Sequence, residues 1–278
     1  MKVFLFTIFA LVAFAFNSIL CRLALRGEEA DAAGFTTVRL ISGAIALVII
    51  SYVVSKGKGT IRQGSWPSAF FLFAYAICFS FAYLGLTAGT GALILFGSVQ
   101  MTMIAVAIIK GERPLALEWL GLAVAVGGLV YLVVPGLASP PLYSSLLMAT
   151  AGASWGFYTL RGKGSGNPLA NTTGNFIRSA PMIAIAAIPF LPKIHLTNRG
   201  ILLAVLSGAV TSGIGYTVWY AALKFHTSTR AAVLQLAVPI IAAAAGVLLL
   251  DEAATMRLAI AAALILGGIG LTIFGKRQ

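Results

Sequence analysis

The sequence is poor in the residues that most often carry catalysis or bind metals. It contains two cysteines, Cys21 and Cys78, and two histidines, His195 and His226, in 278 residues. The cysteines have neither the number nor the spacing of a disulfide framework or a metal site, and no carboxylate or cysteine cluster accompanies either histidine. The sequence has no G-x-x-x-x-G-K-[ST] phosphate-binding loop. We therefore expect neither an enzyme nor a bound metal, nucleotide or other cofactor.

Acidic residues are also scarce, and none lies in the middle of an apolar stretch. The seven acids are Glu28, Glu29, Asp31, Glu112, Glu118, Asp251 and Glu252. Ion-driven antiporters usually keep a carboxylate at membrane depth, where it exchanges a proton or a sodium ion. Since this chain lacks such a group, we expect facilitated movement of a substrate, without ATP and without an acidic coupling site in mid-membrane. The alternative is ion coupling through groups nearer the membrane surface.

Apolar sequence, by contrast, is abundant: 60% of the residues are hydrophobic and 9% are charged. Residues 63–109 and 119–160 carry no charge, and a bilayer crossing needs about 20 apolar residues. Lipid requires backbone groups to be satisfied within each segment, and the runs lack the period-2 alternation of barrel strands. We predict an all-α membrane protein with ten transmembrane helices, at residues 3–25, 33–55, 66–87, 90–109, 115–134, 142–161, 171–190, 198–223, 227–250 and 256–275.

The second half of the sequence repeats the first. Four pairs align at a shift of 139 to 140 residues: Arg22 with Arg161, Arg39 with Arg178, Glu112 with Glu252, and Gly127-Gly128 with Gly267-Gly268. Because charged residues are rare in this chain, the shared shift indicates a duplicated unit. We predict two five-helix repeats, residues 1–139 and 140–278.

Lysine and arginine in the short loops predict the orientation. With a cytoplasmic N-terminus, twelve of them fall on the inner side and five on the outer side, the outer ones being Arg22, Arg26, Lys193, Arg199 and Arg257. Both termini are therefore predicted in the cytoplasm. Because each repeat has an odd number of crossings, the second repeat is predicted to be inverted relative to the first, the plan of many secondary transporters.

The formal net charge of +12 belongs to these loops. Cytoplasmic retention and anionic lipid head groups account for it, so we expect contact with membrane lipid and not with nucleic acid. The predicted location is the bacterial inner membrane, with multiple crossings. The sequence leaves the oligomeric state open, and a monomer is compatible with it.

Several short motifs follow one another in a fixed order. They are Arg22 after the first span, Arg39-Leu40 with its copy Arg178, Tyr83-Leu84-Gly85-Leu86 and Tyr220-Ala221-Ala222-Leu223 at span ends, Gly111-Glu112-Arg113 and Asp251-Glu252 in turns, and the paired glycines. Over nearly the whole chain this order resembles the drug/metabolite transporter superfamily, in its EamA-like ten-helix branch. The resemblance implies two inverted halves, a central substrate cavity lined mainly by spans one, three, four, six, eight and nine, and alternating access, commonly for export of amino acids and related metabolites. The first span departs from the pattern, since it has Asn17 where many relatives carry the tryptophan-glycine pair that Trp155-Gly156 keeps in span six.

Polar and aromatic side chains within spans are candidates for the cavity, because exposing polar groups to lipid costs free energy. The predicted substrate-binding residues are Asn17, Phe79, Tyr83, Gln100, Trp155, Tyr158, Arg178, Tyr216, Tyr220 and Gln235. For the polar residues the alternative is an interhelical hydrogen bond, and for the aromatic ones it is core packing or an interfacial belt, which we favour for Trp219. Arg178 either offers its charge to a substrate carboxylate or pairs with helix-end carbonyls.

A second set is predicted to have structural or gating roles: Arg39, Glu112, Gly213, Gly215, Pro239 and Glu252. Arg39 lies about two turns into its span, close enough to the end to snorkel or to pair. The two glutamates are expected to stabilise the N-termini of the helices that follow them. Pro239 is expected to bend span nine, and the glycines to permit close helix contacts.

Together these features predict an exporter of aromatic or apolar amino acids and related small metabolites. Two other transporter classes are alternatives. A multidrug exporter of cations needs an acidic cavity, which the sequence lacks, and a nucleotide-sugar or phosphate-ester carrier needs several converging cations, which only Arg39 and Arg178 approach. Outside transport, a membrane enzyme or a scaffold is the remaining alternative.

Overall fold

The fold is known from a computed structural model, which describes residues 2–54, 63–109, 111, 115–134, 136, 139–163, 165–226 and 234–275. Within these ranges the regular structure is helical, and the one β-type contact is an isolated antiparallel bridge. The helices are α1 Lys2–Arg26, α2 Ala32–Val54, α3 Trp66–Ala82, α4 Ala88–Ile109, α5 Ala116–Val133, α6 Leu142–Gly162, α7 Pro168–Ala187, α8 Asn198–Leu223, α9 Ala237–Leu250 and α10 Met256–Gly275. Each of them falls on one of the predicted spans.

Six of these helices are long and apolar enough to cross a membrane. They are α1, α2, α4, α5, α7 together with the 3-10 turn Ile188–Lys193 that extends it, and α8. Helices α3 and α9 are apolar but shorter, as is the part of α10 that was searched, Met256–Leu271. An all-helical membrane protein is therefore confirmed, whereas the number of ten crossings stays a prediction.

Short polar side chains fix where several helices begin. The side chains of Ser65, Asn167 and Thr197 each accept a hydrogen bond from the backbone amide three residues ahead, which satisfies an N–H group that the first turn of a helix leaves unpaired. Proline follows Ser65 and Asn167 within two residues, in the first turn, where its missing N–H costs nothing. These caps place the polar helix ends outside the apolar interior.

Helix α8 changes its winding halfway. It is α-helical over Asn198–Val205, π-helical over Leu206–Ile214 and α-helical again over Gly215–Leu223. Wider π turns are uncommon and are often found at functional sites. Here the π segment carries Ser207, Thr211 and Ser212, all buried.

The helices of the two predicted repeats pack on each other reciprocally. Three contacts each have a matching contact in which every helix is replaced by its counterpart: α3–α6 matches α8–α1, α4–α6 matches α9–α1, and α2–α8 matches α7–α3. Three further contacts join a helix directly to its own counterpart: α2–α7, α4–α9 and α5–α10. Exchanging each helix for its counterpart five places along leaves this set unchanged. The packing is that expected of two matched halves, and their inverted orientation stays a prediction.

Glycine allows α2 and α8 to approach unusually closely. A Cβ atom on Gly208 would overlap the backbone carbonyl oxygen of Arg39, and one on Gly43 would lie 2.9 Å from the carbonyl oxygen of Gly208. Only residues without a side chain fit at this crossing. The predicted glycines lie nearby in α8, where a Cβ on Gly213 would be 3.2 Å from the Leu47 side chain and one on Gly215 3.1 Å from the Ala13 Cβ.

The loop between α1 and α2 pairs with the segment that precedes α8. Ala30 and Leu196 form the isolated antiparallel bridge. Its flanking bonds run from the Asp31 amide to the His195 carbonyl and from the Thr197 amide to the Glu29 carbonyl, both at 2.9 Å. The bridge joins the two halves at the end of the molecule that is predicted to face outward.

Candidate functional site

The side chain of Arg39 is fully inside the protein. It is 1% exposed and is among the largest side chains that the fold buries completely. We expected it to snorkel or to pair near a helix end. Snorkelling is wrong, because Arg39 pairs inside the helix bundle, and its partners are side chains of other helices.

Three hydrogen bonds hold the Arg39 guanidinium between α2, α3 and α8. Its Nη2 donates to the Tyr75 hydroxyl at 3.1 Å and to the Tyr216 hydroxyl at 3.0 Å. Its Nε donates to Ser212 Oγ at 3.1 Å. The guanidinium also lies 4.9 Å from the centre of the Phe79 ring and 5.2 Å from that of Tyr75, within the range of cation–π attraction.

Asn17 connects α1 to the same helices. Its Nδ2 donates to the Tyr75 hydroxyl at 3.1 Å. Its Oδ1 accepts from Ser207 Oγ at 2.6 Å and from Thr211 Oγ1 at 3.0 Å. The prediction that Asn17 is a polar group inside the bundle is confirmed, and these bonds are the interhelical ones that we gave as its alternative role.

Aromatic rings surround these polar groups. The Trp155 ring of α6 lies 4.5 Å from Tyr216, 5.1 Å from Tyr75 and 5.8 Å from Phe14, measured between ring centres. All are at most 6% exposed. We call the following group the arginine–tyrosine cluster: Asn17, Arg39, Tyr75, Trp155, Ser207, Thr211, Ser212 and Tyr216. It joins α1, α2, α3, α6 and α8.

The cluster borders a very small void rather than a wide cavity. Polar side chains of Asn17, Tyr75, Trp155 and Tyr216 and apolar side chains of Phe14, Leu95 and Phe96 enclose a space of about 10 Å³. That is roughly the room one water molecule needs. Among the described residues around this cluster, the wide cavity implied by the family resemblance is not open, because the aromatic rings of α3, α6 and α8 meet there.

A larger space lies elsewhere, between α4, α9 and α10. It measures about 480 Å³ and is lined mainly by small and apolar residues, among them Gly89, Pro239 and Ala243. Glu252 is its one charged lining residue, and its carboxylate is already bonded to Arg22 and to the Ala88 amide. Because converging polar groups mark a binding site better than volume does, we take the arginine–tyrosine cluster as the candidate site.

The other predicted aromatic residues are all buried near the cluster or behind it. The Phe79 ring packs at 4.8 Å on that of Tyr83, whose hydroxyl bonds the Ala88 carbonyl at 3.4 Å. The Tyr158 and Tyr220 rings meet edge to face with their centres 6.0 Å apart, and the Tyr220 hydroxyl donates to the Tyr158 carbonyl at 3.4 Å. These contacts are core packing, one of the two roles we considered for them.

Three further side chains that we considered for the interior, Gln100, Gln235 and Trp219, are buried. Gln100 and Gln235 are 3% and 2% exposed, so both are inside the bundle. Trp219 is 0% exposed and lies 5.7 Å from the Phe14 ring. For Trp219 we favoured core packing or an interfacial belt over a cavity wall, and its buried ring packs in the core.

Arg178, the repeat counterpart of Arg39, has different surroundings. Its Nη1 donates to the backbone carbonyls of Gln63 at 2.8 Å and Gly174 at 2.9 Å. This is pairing with backbone carbonyls, the alternative we gave for it, and neither carbonyl belongs to the arginine–tyrosine cluster. The two arginines that are counterparts in the predicted repeats therefore have different partners.

Glu252 stabilises a helix N-terminus, but not the one expected. Its Oε2 accepts the Ala88 amide at 2.8 Å, at the start of α4, and its Oε1 pairs with Arg22 Nε at 3.1 Å. The start of α10, the helix that follows, is instead capped by Thr255, whose Oγ1 accepts the Leu258 amide. The prediction for Glu252 was wrong in the identity of the helix, because the chain folds this turn back onto α4. Glu112 lies outside the described residues.

Pro239 lies in the first turn of α9. Leu234 and Gln235 are helical, Leu236 is a turn, and α9 proper begins at Ala237. Proline has no amide hydrogen to bond the carbonyl four residues earlier, which accounts for the break. The predicted bend of span nine and a gating role for Pro239 both stay predictions.

Our sequence reasoning missed Tyr75 and the three hydroxyl residues of α8. Tyr75 lies in the middle of a predicted span, and it has a polar hydroxyl there. A polar group within a span is the reason for which we selected Gln100, so Tyr75 could have been selected too. Ser207, Thr211 and Ser212 share one side of α8, a spacing that is a recognisable signal when it is read with Tyr216. Which helices these residues would face was not readable from the sequence.

Comparisons with known proteins agree with this architecture. The model of the EamA-like transporter family matches residues 142–274. An uncharacterised protein of Pseudomonas aeruginosa is 44% identical over 272 residues, covering 98% of this chain and 94% of that protein. A protein of Escherichia coli K12 named as a probable amino-acid metabolite efflux pump is 27% identical over 222 residues, 73% of each chain. One solved crystal structure has a TM-score of 0.70 at 19% identity and covers 99% of both chains, a likeness of fold alone.

Proposed function

The chain belongs to the EamA-like transporter family and is a multi-pass membrane protein, and from this premise we propose that it exports amino acids with aromatic or apolar side chains. The proposed mechanism is alternating access between two inverted five-helix halves. Transport is facilitative, without ATP. The termini lie in the cytoplasm in this proposal.

The observation that carries the proposal is the arginine–tyrosine cluster. It places hydrogen-bonding side chains where helices of the two repeats meet, each at most 5% exposed. Polar groups at this depth are costly unless they serve structure or transport. Their aromatic and apolar neighbours Phe14, Leu95, Phe96 and Trp155 suit an apolar substrate side chain.

The contacts on the predicted outer side support a closed outer gate. Arg22 pairs with Glu252 across the halves, and Arg26 donates to the Leu250 carbonyl. The Ala30–Leu196 bridge lies at the same end. Release of a substrate outward requires these contacts to break, while the cluster side chains separate to make room.

The two alternative transporter classes fit the cluster less well. A cation exporter would bring positive charge toward the buried guanidinium of Arg39, and no described acid side chain lies in the cluster to offset it. A phosphate-ester carrier would gather several cations, whereas Arg178 binds backbone carbonyls outside the cluster. An amino acid matches a single guanidinium better.

The test is counterflow in proteoliposomes. Vesicles are loaded with an unlabelled amino acid, and labelled phenylalanine, leucine, alanine, glutamate or lysine is added outside. The uptake of each labelled amino acid into the vesicles is measured. We expect phenylalanine and leucine to exchange and lysine to be excluded. Protein-free vesicles give the background, and a pH gradient is imposed separately, where uphill accumulation would contradict the uncoupled mechanism.

Exchange of a lipophilic cationic dye or a nucleotide sugar, with none of the amino acids, would replace this proposal by one of the two alternatives. If the protein exchanges none of the amino acids in the panel, although its thermal transition shows that it is folded, the proposal of amino-acid export is wrong.

A further inference from the structure

The arginine–tyrosine cluster has more hydrogen-bond donors than acceptors. Arg39 Nη1 and Trp155 Nε1 are buried donors without a partner among the described residues. Buried polar groups are nearly always hydrogen-bonded, and an unpartnered charged donor is the most costly kind. Two unsatisfied donors in one cluster therefore need a common explanation.

The two tyrosine hydroxyls add to this surplus. Tyr75 Oη accepts from Asn17 Nδ2 and Arg39 Nη2, and the Tyr75 and Tyr216 hydroxyls lie 3.2 Å apart. Only one of the two can give its proton to the other. The remaining hydroxyl proton has no acceptor among the described side chains.

The acceptors nearby are already occupied. Asn17 Oδ1 accepts the hydroxyl proton of Ser207, and it shares that of Thr211 with the Ser207 carbonyl. Ser212 Oγ accepts from Arg39 Nε. In the part of the chain that the structure describes, both ion pairs involve other residues, so no carboxylate offsets the Arg39 charge.

An anion with several acceptor atoms is the group that these donors fit. A carboxylate only accepts hydrogen bonds, and a guanidinium binds it with charge-assisted bonds of about twice the usual strength. Arg39 does not itself line the small void beside the cluster, but it bonds the hydroxyls of Tyr75 and Tyr216, which do. Phe14, Leu95 and Phe96 also line this void, so an apolar tail would meet apolar side chains there.

We propose that Arg39, with the Tyr75 and Tyr216 hydroxyls and the Trp155 indole N–H, binds the carboxylate of the transported substrate, and that the cluster does not recognise an ammonium group. This inference rests on the proposed function, which it narrows. Substrates are amphipathic carboxylates, and the amino group of an amino acid is tolerated but not required, because the described acceptors are already bonded and the local charge is positive.

The experiment uses three probes that share a phenyl ring. Phenylalanine has both charged groups, 3-phenylpropionate keeps only the carboxylate, and 2-phenylethylamine keeps only the ammonium. Displacement of labelled phenylalanine from the purified full chain in detergent is measured near neutral pH. We expect 3-phenylpropionate to compete within about threefold of phenylalanine and 2-phenylethylamine to be at least about tenfold weaker, the effect of losing one charge-assisted interaction.

Variants separate recognition from folding. Arg39→Gln removes the charge, Arg39→Lys keeps it without the planar fork, and Tyr216→Phe removes one hydroxyl with little change in volume. We expect Arg39→Gln to abolish the preference for 3-phenylpropionate over 2-phenylethylamine, Arg39→Lys to retain part of it, and Tyr216→Phe to weaken 3-phenylpropionate about threefold to tenfold. Arg199→Gln is the matched loss of a positive charge, because its side chain is 66% exposed, and it should leave the preference intact.

A purely structural Arg39 would lower the thermal transition of Arg39→Gln and leave the ratio of the two probes unchanged in Arg39→Lys and Tyr216→Phe, which would overturn the inference. Competition by chloride as strong as by 3-phenylpropionate would also overturn it, in favour of an inorganic anion.

Failure of amino-acid export and failure of the carboxylate site give different results in these measurements. If labelled phenylalanine is neither bound nor exchanged, the proposed function fails, and the probes are then compared by the thermal shift they produce. An Arg39-dependent shift with 3-phenylpropionate would still support the carboxylate site. If phenylalanine exchanges but the amine competes equally well, export stands and the carboxylate site fails.

Discussion

The side-chain carbonyl of Asn17 accepts the hydroxyl proton of Ser207 at 2.6 Å, across 190 residues of sequence. The bond joins α1, in the first predicted repeat, to the π-helical part of α8, in the second. Asn17 also bonds Thr211 and Tyr75, so one amide serves helices α1, α3 and α8.

Replacing Asn17 tests how much its hydrogen bonds stabilise the fold. Asn17→Ala leaves the Ser207 hydroxyl without its acceptor, whereas the Thr211 hydroxyl keeps the Ser207 carbonyl. One unsatisfied buried group costs about 1–3 kcal/mol. We expect the free energy of unfolding to fall by that amount, seen as a lower thermal transition in detergent. Thr150→Ala is the control, since the Thr150 hydroxyl is exposed and bonds only its own helix; equal transitions for the two variants would show that the Asn17 bonds do not stabilise the fold.

Gly208→Ala tests the close crossing of α2 and α8. A methyl group at this position overlaps the Arg39 carbonyl, so the two helices must separate. We expect loss of folded protein or a fall in stability of about 2 kcal/mol or more, because overpacking against backbone is poorly relieved. Gly127→Ala is the matched control, since a Cβ there meets nothing within 4 Å. If Gly208→Ala yields as much folded protein as Gly127→Ala, the helices α2 and α8 do not approach as closely as described here.

Glu252→Gln tests the contact between α9, α4 and α1. The change weakens the bond to Arg22 and reduces the negative charge at the start of α4. Because this pair is nearly buried, with side-chain exposures of 16% and 6%, we expect a loss of about 1–3 kcal/mol. Faster hydrogen exchange of the Ala88 amide is the specific sign, and Arg199→Gln, which breaks an exposed pair, should change stability by less than about 1 kcal/mol. An unchanged exchange rate at Ala88 would argue against the cap.

A cross-link tests whether the outer contact opens during transport. Ala30→Cys with Leu196→Cys places two thiols at directly opposed positions of an antiparallel bridge, in a chain with Cys21→Ala and Cys78→Ala. Opposed residues of such a pair have Cα atoms about 4.5–5.5 Å apart, within reach of a disulfide. We expect oxidation to stop counterflow and a reductant to restore it, while either single cysteine has no effect. Undiminished counterflow in the oxidised double variant would show that this end does not open.

Much of the fold was predictable because lipid restricts the chain to apolar helices. The starts of α2 and α7 lie within three residues of the predicted 33 and 171. Charge distribution also placed the acids correctly, since the described ones lie in loops or at helix ends. The predicted start of span nine, residue 227, lies outside the described residues.

The site was less predictable because it is made of contacts across long separations. The Arg39 and Tyr216 side chains are 177 residues apart in sequence, and nothing local shows that α2 faces α8. The duplication even suggested similar roles for Arg39 and Arg178, but the first meets tyrosine hydroxyls and the second meets backbone carbonyls. Sequence reasoning therefore identified polar groups in the interior and could not assign their partners.

The most direct test is a structure of the protein bound to 4-bromophenylalanine, whose bromine locates the ring by anomalous scattering. The account predicts the carboxylate about 3 Å from Arg39 Nη1 and the Tyr216 hydroxyl, with the ring against Phe14 and Phe96. A ligand seated instead in the apolar cleft beside Pro239 and Ala243, with the surroundings of Arg39 unchanged, would contradict it.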